Sequence, residues 1–258
     1  MTITGLVEDV ASDRRSSYVL AALDDEILLR YVTKDRIVPI CGIASAVPDH
    51  MAVSETHAAV AVGGGFRLYK CYPFALVSET PLVGVTAIAG MPDGGFAVAD
   101  NSRLYIFGTD GAIRAQRQLE EKATMLAVLE DGVVLAVGKH GFIALKERRG
   151  RLSRITEFAF VVPNTVVKTY GNNVYTYQPD SRGVLLWRWT GCAFAETHNC
   201  IAPHLVPRFA CLGNDKLLFF QTGEALPSPP PAVDSYSRFV NTFMVDRYSS
   251  GKLTVVNH

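Results

Sequence analysis

Apolar residues in this chain come in short runs separated by turn residues, and the clearest regularity among them is a duplication. The segment Val85 to Phe107 returns as Ala123 to Leu145: a shift of 38 positions carries Thr86 to Thr124, Ala89 to Ala127, Asp93 to Asp131, Gly94 to Gly132 and Leu104 to Phe142. Each copy reads as an apolar run, an Asp-Gly turn, a second apolar run, a polar turn and a third apolar run. That is how successive short antiparallel strands look in sequence. Weaker copies flank the pair. Ile3 to Val10, Tyr18 to Leu23 and Ile27 to Val32 form one, and Met51 to Ser54, Ala58 to Val62 and Phe66 to Cys71 another, the latter with Gly63-Gly64-Gly65 as a hairpin turn where positive φ costs little. Val166 to Tyr170, Val174 to Gln178 and Val184 to Trp189 form a further copy. Third-strand residues Leu28, Leu68, Leu104, Phe142 and Val184 mark the loose period.

Each unit leaves room for a more polar fourth strand, and Ala112 to Leu119 and Leu152 to Phe158 alternate as a half-exposed strand should. The second and third strands, such as Phe96 to Ala99 and Val133 to Val137, are apolar on both faces, which suits sheets stacked face to face. A helix over Arg117 to Glu130 competes with this reading, but the repeat partner of that segment holds Gly90 and Pro92, which a helix interior tolerates badly. The last unit is irregular. Leu205 to Leu212 and Lys216 to Gln221 are followed by the Pro-rich stretch Glu224 to Ser235, and strands resume at Phe239 to Asp246 and Lys252 to Val256. The expectation is a single domain over residues 1–258: an all-β, six-bladed propeller of four-stranded antiparallel blades, about 43 residues each. No strand is left over to complete the first sheet, so the ring is expected to be open.

The segments Gly95 to Gly111 and Gly132 to Leu145 resemble divergent WD-repeat or related β-propeller blades. The Trp-Asp dipeptide that ends typical WD blades is missing, since Trp187 is followed by Arg188 and Trp189 by Thr190. The Gly-His that opens them is missing as well, so the hydrogen-bond network of that family does not carry over. The resemblance implies a rigid platform for other protein subunits, and an open ring of six blades is similar to the propellers of coat and nuclear-pore complexes that accept a blade from a partner. It also implies a rival, since six-bladed propellers include metal-dependent, lactonase-like hydrolases.

Composition narrows the choice. Apolar residues make up 48% of the 258 and charged residues 19%, which is neither a disordered nor a coiled-coil composition. Lys plus Arg equal Asp plus Glu at 25 each, so net charge supplies no argument for nucleic acid or an anionic membrane. The start lacks a basic segment followed by a long apolar one, and no apolar run reaches the roughly 18 residues of a membrane-spanning helix. The chain therefore reads as intracellular, cytoplasmic or nuclear, without a membrane span. Five scattered cysteines with no Cys-x-x-Cys fit reduced thiols better than a disulfide framework.

Three clusters are candidates for function. Lys146, Arg148, Arg149, Arg151 and Arg154 surround a glycine turn, where they suit either an acidic protein surface or RNA phosphate, or simply a solvated hairpin whose charges protect an edge strand. Without interleaved aromatics the acidic protein surface ranks above RNA. Tyr175, Tyr177, Trp187 and Trp189 sit at spacing two on adjacent strands, and the two tryptophans are candidate partner anchors, with packing between blades as the plainer reading. Cys192, His198, Cys200 and His204 offer zinc-type ligands at a spacing that matches no strong finger or ribbon pattern. Asp93, Asp100 and Asp131 read as turn formers. No serine-elbow, zincin, phosphate-loop or dinucleotide motif occurs, so no catalytic residue, cofactor or resident metal is assigned.

Overall fold

The computed structural model describes residues 9–12, 18–22, 26–32, 37–44, 48–160, 165–178, 183–201, 208–213, 216–220, 241–245 and 255–257. Among them there is no helix, and therefore none long and apolar enough to cross a membrane. Strands fall into six four-stranded sheets. Sheet 1 is β1 (Asp9–Ser12), β2 (Tyr18–Ala22), β3 (Glu26–Val32) and β4 (Ile37–Ala44); sheet 2 is β5 (His50–Val53), β6 (His57–Val62), β7 (Gly65–Lys70) and β8 (Ala75–Pro81). Sheet 3 is β9 (Ala87–Gly90), β10 (Phe96–Ala99), β11 (Arg103–Phe107) and β12 (Ile113–Gln118); sheet 4 is β13 (Met125–Val128), β14 (Val134–Val137), β15 (Gly141–Arg148) and β16 (Arg151–Ala159). Sheet 5 is β17 (Val166–Tyr170), β18 (Asn173–Gln178), β19 (Gly183–Trp189) and β20 (Phe194–Ile201); sheet 6 is β21 (Arg208–Gly213), β22 (Lys216–Phe220), β23 (Asn241–Val245) and β24 (Val255–Asn257). The segment that competed for a helix is the end of β12, a connection and β13.

Sheets 1 to 5 are antiparallel meanders, each strand pairing with the next in sequence. Sheet 6 corrects the expectation of uniformly antiparallel blades, because β22 and β23 run parallel, Lys216 opposite Asn241. A parallel pair needs a crossover of a dozen residues or more. The long connection between these two strands supplies that length, and the Pro-rich stretch within it lies outside the described residues.

The chain divides into two compact units, Leu6–Ala159 with sheets 1 to 4 and another with sheets 5 and 6. In the first, the opening strands of successive sheets are neighbours: β1 with β5, β5 with β9, β9 with β13. This inner row makes each sheet a blade, with its fourth strand outermost. Period-two alternation explains the continuously apolar inner strands. Phe96 and Val98 of β10 pack toward sheet 2 with Phe66, Leu68 and Phe107, whereas Ala97 and Ala99 face sheet 4 with Leu126, Val128 and Val134. Likewise Ala58 and Val60 pack with Leu20, Ile27 and Leu29 of sheet 1, and Ala59 between them packs toward sheet 3. The Phe66 and Phe107 rings lie 4.6 Å apart and are fully buried, each worth about 2–3 kcal/mol of transfer free energy. On the outermost strands β8 and β12 exposed and half-buried residues predominate.

The internal repeat extends to individual hydrogen bonds. Met91 N donates to Gly95 O and Leu129 N to Val133 O, while Thr86 N donates to Ala99 O and Thr124 N to Val137 O. Gly94 and Gly132 both have positive φ, 89° and 82°, where a glycine is favoured. Side chains also link blades: Ser54 Oγ of sheet 2 donates to Gly94 O of sheet 3 at 2.8 Å, and Thr86 Oγ1 of sheet 3 to Ala123 O of sheet 4 at 2.5 Å.

Candidate functional site: an arginine-tipped hairpin

The hairpin of β15 and β16 ends in a two-residue loop, Arg149-Gly150, closed by the pair Arg148 and Arg151. Both loop residues have positive φ, 53° and 76°, the geometry of a type I′ turn, whose usual occupants are Asn-Gly or Asp-Gly. Arg149 is the one non-glycine with positive φ among the described residues. Such a residue is strained by about 1 kcal/mol or more. Directly opposite residues of a strand pair present their side chains on the same face, so Arg148 and Arg151 place like charges side by side, a further local cost.

The neighbouring charges are spent on each other. Lys146 Nζ lies 3.3 Å from Asp131 Oδ2, and Arg154 pairs with Glu157 and, at 3.5 Å, with Glu120. Arg148, Arg149 and Arg151 are exposed and have no ion pair among the described residues. Of the five cations expected to act together, three form the free tip and two belong to ion pairs along the flanking strands.

Sheet 3 braces the tip. Arg114 of β12 reaches Asp93 Oδ2 at 2.5 Å with one guanidinium nitrogen and Glu147 Oε2 at 3.9 Å with another, while Glu147 Oε1 accepts from Gly150 N at 3.2 Å. Arg117, also on β12, donates from Nη1 to Leu152 O at 3.0 Å. Leu152 itself is buried in the cluster between sheets 3 and 4, anchoring the base of the turn. Exposed ion pairs contribute little stability one at a time, so this network chiefly fixes position. Neither Arg114 nor Arg117 was visible as part of the site in sequence, because the contact runs between blades; the signal available was two arginines at spacing three on an otherwise polar strand.

The other candidates fall elsewhere. Trp189 is only 5% exposed and its ring packs against Phe194, and Tyr175 and Tyr177 are fully buried. Trp187 is half-buried and donates from Nε1 to Thr176 Oγ1 at 3.0 Å, which commits its polar edge within its own sheet. Cys192 is exposed in the β19–β20 turn, 3.9 Å from Thr190 Oγ1. His198 and Cys200 are on β20, and His204 lies outside the described residues. Among the described residues no group of three or more His, Cys, Asp or Glu side chains is placed to hold a metal ion.

The three aspartates are occupied by turns. Asp93 Oδ1 accepts from Gly95 N and Asp131 Oδ1 from Val133 N. Asp100 Oδ1 accepts from Ser102 N and Arg103 N, both at 2.7 Å, and Oδ2 from Tyr105 O–H at 3.0 Å. Burial would raise its pKa, but these hydrogen bonds outweigh that and hold the carboxyl below its ordinary value. His57 is buried, with Nδ1 2.7 Å from Thr56 Oγ1; burial first, and Lys70 second, lower its pKa. Two surface features were not anticipated. Tyr72 before β8, and Leu76 and Val77 near its start, are exposed, and a cavity of about 270 Å³ is lined by Leu119, Glu121, His140, Phe142 and Phe158.

Fold and site together define a β-propeller that carries a cationic hairpin. No family model matches the chain, and no curated protein matches it in sequence. Among solved structures it is similar to a chain in the crystal structure of the mitotic checkpoint complex, with a TM-score of 0.60 over 79% of this chain and 68% of that one. Identity is 11%, so the likeness is one of fold.

Proposed function

We propose that the chain is a non-enzymatic, WD-repeat-like β-propeller scaffold, residues 1–258 acting as one domain within a larger intracellular complex, and that the β15–β16 hairpin docks an acidic segment of another subunit. The observation that carries this reading is the braced tip, where three exposed arginines have no ion-pair partner among the described residues while the cations beside them are neutralised. A turn that served only to reverse the chain would gain from Asn or Asp in place of Arg149. Unpaired guanidinium groups on a rigid support gain from an anionic partner instead. That the structural neighbour comes from a multiprotein assembly agrees with this reading.

The test compares affinity purification of the wild-type chain from its native cells with that of a triple variant, Arg148→Ser, Arg149→Asn, Arg151→Ser. The expected result is loss of a stoichiometric partner whose binding an acidic competitor peptide also abolishes. The same partner set from both chains would refute docking at the tip. A stoichiometric divalent ion in the purified protein would favour the metal-dependent hydrolase.

A further inference from the structure

We infer that the hairpin tip is a clamp for a phosphate monoester, so that the docked segment is a phosphorylated one. The inference rests on the docking reading above and narrows it. Three properties of the tip converge on this chemistry.

First, the side chains of the cluster with no ion pair among the described residues are all arginines, whereas its one lysine, Lys146, is held by Asp131. A guanidinium is a planar fork that grips two oxygens at once, and a lysine ammonium is a point charge. Second, Arg148 and Arg151 are direct cross-strand partners, so two forks stand side by side on one face with Arg149 at the apex between them. A carboxylate has one charge, which a single guanidinium neutralises. A phosphate monoester near neutral pH has close to two charges and three terminal oxygens, enough to engage two forks and relieve the repulsion between them. Third, the tip holds this arrangement against local preference: Arg149 has φ of 53°, and Glu147 secures the turn by accepting from Gly150 N while also facing Arg114. Positions that keep a strained backbone and opposed like charges at once are candidates for binding rather than folding.

A phosphodiester is the other phosphate available to such a tip. It has one charge and two free oxygens, so it offers two forks no more than a carboxylate does. Nucleic-acid surfaces that read single strands add aromatic platforms for the bases. The tip has none: the exposed residues from 148 to 154 are Arg148, Arg149, Gly150, Arg151, Ser153 and Arg154.

The experiment follows the arginine Nε–Hε resonances of the full chain by NMR while three probes are added separately: a Gly-Gly-phosphoserine-Gly-Gly peptide, the same peptide with Asp in place of phosphoserine, and a ten-nucleotide oligouridine. The phosphopeptide is expected to shift Arg148 and Arg151 together and to bind about tenfold more tightly than the Asp peptide. Its affinity is expected to fall as pH drops through about 6, where the phosphate gains its second proton. Arg148→Gln and Arg151→Gln each remove most of this preference, and Lys146→Gln leaves it unchanged. Equal binding of the two peptides would overturn the phosphate clamp and leave docking of an acidic segment standing. Stronger binding of oligouridine would replace the protein partner with RNA. No response at these arginines to any probe would sink both the clamp and docking at the tip.

Discussion

The turn between β11 and β12 and the turn between β15 and β16 hold the same place in neighbouring sheets, each joining the third strand to the outermost fourth, and they are built differently. In the first, Asp110 Oδ1 accepts from Ala112 N at 3.0 Å, Gly111 takes the positive φ of 80°, and Gly108 N donates to Ala112 O, so the turn meets its backbone needs from its own residues. In the second, an arginine takes a positive φ, two more arginines close the loop, and a carboxylate from the strand before it must hold the glycine N–H. The first turn is at ease locally. The second is held in place by the adjoining blade, and the difference separates a turn that only reverses the chain from one that presents charge.

Substitutions can sharpen this contrast, and the largest effect is expected at Gly111. A Cβ there would overlap the Ser78 side chain of sheet 2 in addition to straining the backbone, so Gly111→Ala should destabilise by about 2–3 kcal/mol in urea unfolding. At Gly150 a Cβ would come no closer than 3.5 Å to Arg114 O, leaving only the left-handed backbone cost, so Gly150→Ala should lose about 1 kcal/mol. Equal losses at the two glycines would erase the distinction between the turns. Asp110→Ala removes one exposed turn hydrogen bond and should cost about 0.5–1 kcal/mol by the same measurement, without changing partner binding.

How much of this was legible in the sequence follows the range of the interactions. The blades were legible because alternate residues of one strand, Phe96 and Val98 against Ala97 and Ala99, serve opposite neighbouring sheets, and this leaves continuous apolar runs with Asp-Gly punctuation. Turn roles for Asp93, Asp100 and Asp131 were legible because an aspartate bonds backbone two or three residues onward. The five cations were legible as a cluster around a glycine turn, but not which of them are neutralised. Which cations are neutralised depends on Asp131, reached across sheet 4, and on Glu120, which precedes β13, and which element braces the loop depends on β12. The parallel pair β22–β23 was hidden for a related reason, since strand composition does not report direction when the connection is long enough to cross over.

Acid should weaken the first unit in two stages, with the smallest effect foreseen here. His57 is held below its ordinary pKa of 6.5 when folded, so between 6.5 and that lower native value the unfolded chain binds more protons than the folded one. Stability is therefore full above 6.5 and declines as pH falls through that window; in thermal unfolding, His57→Gln should flatten this decline. Asp100, held below its ordinary value of 3.8, adds a second loss at lower pH, as the native carboxylate is protonated and releases the Ser102, Arg103 and Tyr105 donors.

An arginine tip kept for a partner is kept at the expense of local stability. Urea unfolding of the double variant Arg149→Gly, Arg151→Thr against the wild type reads that expense, since the variant removes both the strained φ and the opposed charges. The variant is expected to be more stable by about 1 kcal/mol and no longer to bind the phosphopeptide. A variant less stable than the wild type would show instead that the arginines hold the hairpin together.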